Sequence, residues 1–199
     1  MNTDHAEHAM SERPFTILGI AGSLRSGSYN RAALRAAQQL VPEGVRIELF
    51  DLEGIPLYNQ DDENDPPLRV RELKAAVRAA DALLFCSPEY NYSIPGVLKN
   101  AIDWGARPGK DNCWDGKPGA IMGVSMGLLG TARMQYHLRQ VFVNVGILTL
   151  NKPEVMIGQA QQKFDADLNL TDEKTREFVR KLVGALVDWA RRLERGRAG

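Results

Sequence analysis

Cysteine and histidine are scarce in this 199-residue chain, with two and three copies, and neither sign of charge dominates, with 25 basic against 25 acidic residues. Cys86 and Cys113 are too few for a disulfide framework and lack the spacing of metal ligands, which points to a reducing, cytoplasmic setting and to no metal site. His5 and His8 stand close together without a third ligand in view. Balanced charge and the lack of a long Lys/Arg run leave nothing to attract nucleic acid or an anionic membrane. No apolar run approaches the ~20 residues that span a bilayer. Residues 1–12 hold acids, two histidines and no apolar core, so they read as a flexible tail and not as a secretory or transit signal.

What the chain does have is a regular alternation. Residues 13–195 suffice for one domain that buries its core unaided. Strand-length apolar runs at 15–21, 45–50, 82–87, 118–125 and 146–150 alternate with helical patterns at 30–41, 68–80, 94–104 and 131–143, followed by a last helix after Thr171. The first helix places Ala33, Ala37, Leu40 and Val41 on one stripe, and the second follows Pro66-Pro67 and buries Leu73, Ala76, Val77 and Ala80. The third starts after Ser93 with Pro95 in its first turn. The fourth aligns Met134, Leu138, Val141 and Phe142, and the last runs from its cap Thr171 through Phe178, Leu182, Ala185 and Trp189 to Arg191, Arg192 and Arg195. Five βα units predict an α/β fold, a flavodoxin-like three-layer sandwich with a five-stranded parallel sheet in the order 2-1-3-4-5. Its ligand crevice is expected at the carboxyl ends of the strands.

Three loops fall at those ends. The first, Gly22-Ser-Leu-Arg-Ser-Gly-Ser-Tyr-Asn30, joins a strand to a helix through glycines, hydroxyls and one arginine, as a phosphate cradle does. It has P-loop spacing, but Ser28 replaces the lysine, and Gly19-Ile-Ala-Gly22 does not match the dinucleotide fingerprint. What remains is a terminal phosphate such as that of FMN, held by Ser23, Arg25, Ser28, Asn30 and backbone amides. An ordinary Ser/Gly turn with a helix cap is the alternative. The second loop, Pro88-Glu-Tyr-Asn-Tyr-Ser-Ile-Pro-Gly96, offers rings and polar groups to a flat heteroaromatic ligand, or else is a plain turn capped by Ser93. The third contains Gly123-Val-Ser-Met-Gly127, which matches the nucleophile elbow of a serine hydrolase. No triad follows, since the only later histidine, His137, sits within a helical pattern where partial packing is expected. Cys86 reads as a small buried hydrophobe, and Cys113 with Trp114 as surface loop.

Together the first loop, the run Pro88-Glu-Tyr-Asn-Tyr-Ser-Ile-Pro-Gly-Val-Leu-Lys-Asn-Ala-Ile-Asp-Trp104 and the run Ala132-Arg-Met-Gln-Tyr-His-Leu-Arg-Gln140 resemble the NADPH-dependent FMN reductase family, most closely its quinone and chromate reductase branch. The similarity runs from about Phe15 to Glu154. It implies non-covalent FMN and ping-pong transfer of two electrons from NADPH or NADH to quinones, chromate, azo compounds or free flavin. By the same resemblance Ser23, Arg25, Ser28 and Asn30 bind the FMN phosphate, while Pro88, Glu89, Tyr90, Asn91 and Ser125 line the ring. No catalytic side chain is implied. The family's habit of forming homodimers or homotetramers leaves Arg133, Tyr136 and Gln140 facing either a partner or solvent. One departure stands out: similar sequences carry two glycines before Ala-Arg, whereas here Gly130 is followed by the stiffer Thr131. Two other functions stay open, a flavodoxin-like electron carrier, which the neutral charge disfavours, and an esterase using Ser125.

Overall fold

Strand β1 (Phe15–Ala21) runs through the sheet with parallel neighbours on both sides, β2 (Val45–Phe50) and β3 (Ala82–Cys86), in the computed structural model, which describes residues 13–197. Beyond β3 comes β4 (Pro118–Val124), so that with β5 (Leu148–Thr149) the order is β2-β1-β3-β4-β5, as expected of a flavodoxin-like sheet. Strands covered on both faces are apolar throughout, and every residue of β3 and β4 is buried.

Side chains alternate across the sheet and build two cores. Ile17, Leu84, Met122 and Val124 pack with Ala33 and Leu34 of α1 (Tyr29–Gln38) and with Val179, Leu182 and Leu186 of α5 (Glu173–Arg197). Leu18, Ile20, Phe85 and Ile121 face the other way. They meet Leu73 and Val77 of α2 (Leu68–Ala79), Leu98 and Ile102 of α3 (Gly96–Gly105), and Leu138 and Phe142 of α4 (Ala132–Val145).

The fifth strand position differs from the expected single run at 146–150. β5 pairs only with the first residues of β4, and a separate strand β6 (Val155–Ile157) takes over alongside Met122, Gly123 and Val124. Between them lies Asn151-Lys152-Pro153-Glu154, where proline brings no N–H and the polar neighbours hide the resumption of the strand. Other expectations need correction. Cys113 and Trp114 are buried: Trp114 packs at a tilt against Phe85 and donates its indole N–H to the Ile102 carbonyl at 2.9 Å, beside Gly105, which leaves room for the ring. Flanking Asp, Asn and Gly residues disguise this inward turn. In α5 the buried stripe runs through Val179, Leu182, Val183, Leu186 and Ala190 while Phe178 is exposed. Asp172, not Thr171, caps that helix, accepting the Thr175 N–H at 2.8 Å. The tail expected at 1–12 lies outside the described residues.

Candidate functional site

Glycine and hydroxyl residues shape the first loop from within. A side chain at Gly22 would collide with Ser87, whose Cβ lies 2.7 Å from where that carbon would sit, so only glycine lets the loop leave the sheet here. Ser28 caps α1, its hydroxyl accepting the N–H groups of Asn30 at 3.2 Å and Arg31 at 3.4 Å. Ser23 accepts the Arg25 N–H at 3.4 Å, and the Arg25 guanidinium is exposed, folded back on the Gly27 carbonyl at 2.9 Å. Asn30 is buried and turned inward, bonded to the Val124 backbone through both ends of its amide.

These contacts leave a set of donors unused. Among the described residues, the backbone N–H groups of Ser23, Leu24, Ser26, Gly27 and Tyr29 meet no protein acceptor. They cluster at the positive end of α1, which suits an anion. A terminal phosphate therefore fits this loop. A different depression, about 840 Å³, lies at the amino ends of the strands and is lined by Arg13, Asp81, Lys117 and Arg191. There Arg13 pairs with Asp81, and Lys117 donates to the Arg78 and Ala80 carbonyls.

The second loop closes in a two-residue hairpin. Tyr90 and Ser93 exchange backbone hydrogen bonds of 3.1 and 2.9 Å, and between them Asn91 and Tyr92 both take positive φ, 49° and 66°. A non-glycine residue held there stores roughly 1–3 kcal/mol of strain, which the surroundings must offset. Both tyrosines are exposed. Glu89 is not free to meet a ligand with its whole carboxylate: one oxygen accepts the Arg133 and Met134 N–H groups at 3.1 and 3.2 Å, and the other pairs with the Arg133 guanidinium at 2.5 Å. It thus caps α4 from across the cleft, a task Thr131 does not perform.

The helical half of the same sequence run fixes a neighbouring loop. Asn100 accepts the Tyr58 N–H and donates to the Pro56 carbonyl, both at 2.8 Å, and Trp104 donates to that carbonyl as well. Leu57 is left fully outside.

In the third loop the Ser125 hydroxyl donates to the Gly127 carbonyl at 3.3 Å, and the Ser125 backbone is tied to β6 through the Ile157 carbonyl. His137 proves exposed, not partly packed, and its Nδ1 faces the Ser93 hydroxyl at 3.1 Å, so it assembles no nucleophilic pair with Ser125. Thr131 is wholly buried, its hydroxyl occupying the space beside Gly123 and accepting from Gln135 at 3.2 Å. Its side chain therefore points into the core. Burial pushes the Cys86 thiol far up, and Sγ only touches Asn30 Oδ1 at 3.4 Å, so this cysteine is inert packing. Among the described residues no cluster of His, Cys, Asp and Glu could hold a metal, and no helix is long and apolar enough to cross a membrane.

Eight of the nine expected site residues thus lie on loops at the carboxyl ends of β1, β3 and β4, and Asn30 lies in the first turn of α1; Ser28, Asn30 and Glu89 spend their side chains on shaping those loops. Arg133 is the residue sequence reasoning placed only on an outer face. Its signal was its place in the first turn of a helix whose cap position offers no bonded side chain.

The chain matches the family model described as NADPH-dependent FMN reductase over residues 15–162. It is 57% identical over 179 residues to an NAD(P)H-dependent FMN reductase of Pseudomonas aeruginosa, covering 89% of this chain and 96% of that one. It is 41% identical over 172 residues to a 2-hydroxy-1,4-benzoquinone reductase of a Burkholderia species, covering 86% and 94%. The solved structure of the flavoenzyme NAD(P)H:(acceptor) oxidoreductase FerB from Paracoccus denitrificans aligns with a TM-score of 0.82 at 39% identity, over 89% of this chain and 97% of that one.

Proposed function

We propose, from the premise that this chain belongs to the NADPH-dependent FMN reductase family, that it is an FMN-dependent NAD(P)H oxidoreductase acting on quinones and free flavin. The observation that carries this reading is the row of unused N–H donors in the first loop, set at a helix N-terminus beside two further loops. Amides of that row, with the Ser23 hydroxyl and Arg25, hold the FMN phosphate, while Ser28 and Asn30 keep the loop in shape. Pro88, Glu89, Tyr90, Asn91 and Ser125 border the ring, Glu89 through its backbone.

Bound FMN supplies two-electron chemistry between a nicotinamide and an acceptor. The protein's share would be to hold the phosphate on the first loop and to border the ring with the second and third loops. Tyr90 on the second loop and Met126 on the third are both exposed, which supports donor and acceptor using the same access in turn, with ping-pong kinetics. Chromate and azo compounds enter the proposed acceptor range through the family resemblance.

Exposed Leu128, Leu129, Tyr136 and Val143 form apolar surface on and before α4, which supports a homodimer or homotetramer. The paucity of cysteine supports a cytoplasmic location. A pure electron carrier is disfavoured by the zero net charge. The test is anaerobic: the yellow holoprotein bleaches on one equivalent of NADPH or NADH and recovers its colour with a benzoquinone. Bleaching that needs a protein partner would favour the carrier, and a colourless protein that takes up no FMN would remove both.

A further inference from the structure

We infer that Arg133 is a positioning residue that holds the 89–93 turn in the shape facing the flavin ring, an inference that rests on the FMN reading above. Positive φ at both Asn91 and Tyr92, with Tyr90 and Ser93 paired across them, is the signature of a type I′ hairpin turn. Sequences that form this turn unaided put glycine at its second central position, typically as Asn-Gly. Asn91 suits the first position. A bulky tyrosine at the second is an outlier, so the conformation of Tyr92 is imposed from outside the turn.

Arg133 is what imposes it. Its guanidinium carbon lies 3.6 Å from the centre of the Tyr92 ring, a stacked cation–π contact. Nε and Nη2 of the same group lie 2.5 Å from Glu89 Oε1, just before the turn. One planar cation therefore grips the turn at both ends, which a point charge such as lysine does not reproduce. One helical turn further along α4, His137 adds a third attachment at Ser93. Tyrosine at 92 thus trades intrinsic turn propensity for a ring that Arg133 can hold. The grip also couples the second loop to the third, because α4 begins where the third loop ends.

The test is FMN titration of the apoprotein, with the flavin's visible band recorded for each variant. Arg133→Ala is expected to weaken FMN roughly tenfold and to alter the band, with Arg133→Lys in between. In a Tyr92→Gly background, where the turn forms by itself, the same Arg133→Ala change costs no more than about threefold. If the alanine variant does not fold, Arg133→Lys gives the same comparison between backgrounds. Equal losses in both backgrounds overturn the positioning role, as does wild-type affinity and band shape in Arg133→Ala. Wild-type apoprotein that takes up no FMN overturns the FMN reading itself, and this inference with it.

Discussion

The side chain of Asn30 and the backbone of Val124 exchange two hydrogen bonds, the Val124 N–H reaching Oδ1 at 2.8 Å and Nδ2 reaching the Val124 carbonyl at 2.9 Å. The pair spans from the helix that follows the first loop to the last residue of β4, so it sets the spacing between the first and third loops. Replacing Asn30 with alanine strands both backbone groups in a buried setting. A loss of about 2–4 kcal/mol is expected, from the cost of two unsatisfied buried groups. Urea denaturation of the apoprotein measures it, and an unchanged midpoint would show that water replaces the amide at no cost.

Gly22 tests the shape of the first loop without touching any ligand. An added methyl meets Ser87, so Gly22→Ala should displace the loop and destabilise the fold by about 1–3 kcal/mol. The FMN affinity should fall by at least about tenfold, more than a comparable change at exposed, uncrowded Gly96. Fluorescence titration compares the two.

Cys86 and Cys113 are both buried, and burial raises both thiols. With almost no thiolate and no access, neither should react with a thiol-specific disulfide reagent in the native protein. Two thiols should titrate once the chain is unfolded in urea. Rapid native labelling of either one would reveal local opening near Asn30 or Trp114.

Acid stability should depend on Asp81. Burial alone would raise its carboxyl, but the Arg13 guanidinium and the Thr16 N–H outweigh this and hold it below its ordinary 3.8. A depressed folded value adds stability above the ordinary value and loses it as the pH falls through the folded one. Asp81→Asn should therefore be less stable than wild type at neutral pH, with the gap closing as the pH drops below 3.8. Paired melting curves across that range decide it, and a gap independent of pH would assign the effect to packing.

The fold was legible because its strands are buried on both faces and its helices carry plain apolar stripes, as with Ile17, Leu84 and Leu182. What escaped were features decided at a distance. The break between β5 and β6 depends on which half of β4 each one pairs with, and Trp114 turns inward only because Gly105 makes space. That the first loop holds a phosphate is our proposal, while its place between β1 and α1 was readable from local residue types. The tasks of Glu89 and Asn30 were not, since their partners, Arg133 and Val124, lie 44 and 94 positions away.

The central claim is that the first loop holds the phosphate of FMN. Its most direct test is titration of the apoprotein with FMN and with riboflavin, which share the ring and differ in the phosphate. Charge-assisted hydrogen bonds contribute about 1.5–3 kcal/mol each, so FMN should bind at least about 100-fold more tightly than riboflavin. Equal affinities for the two would contradict the claim.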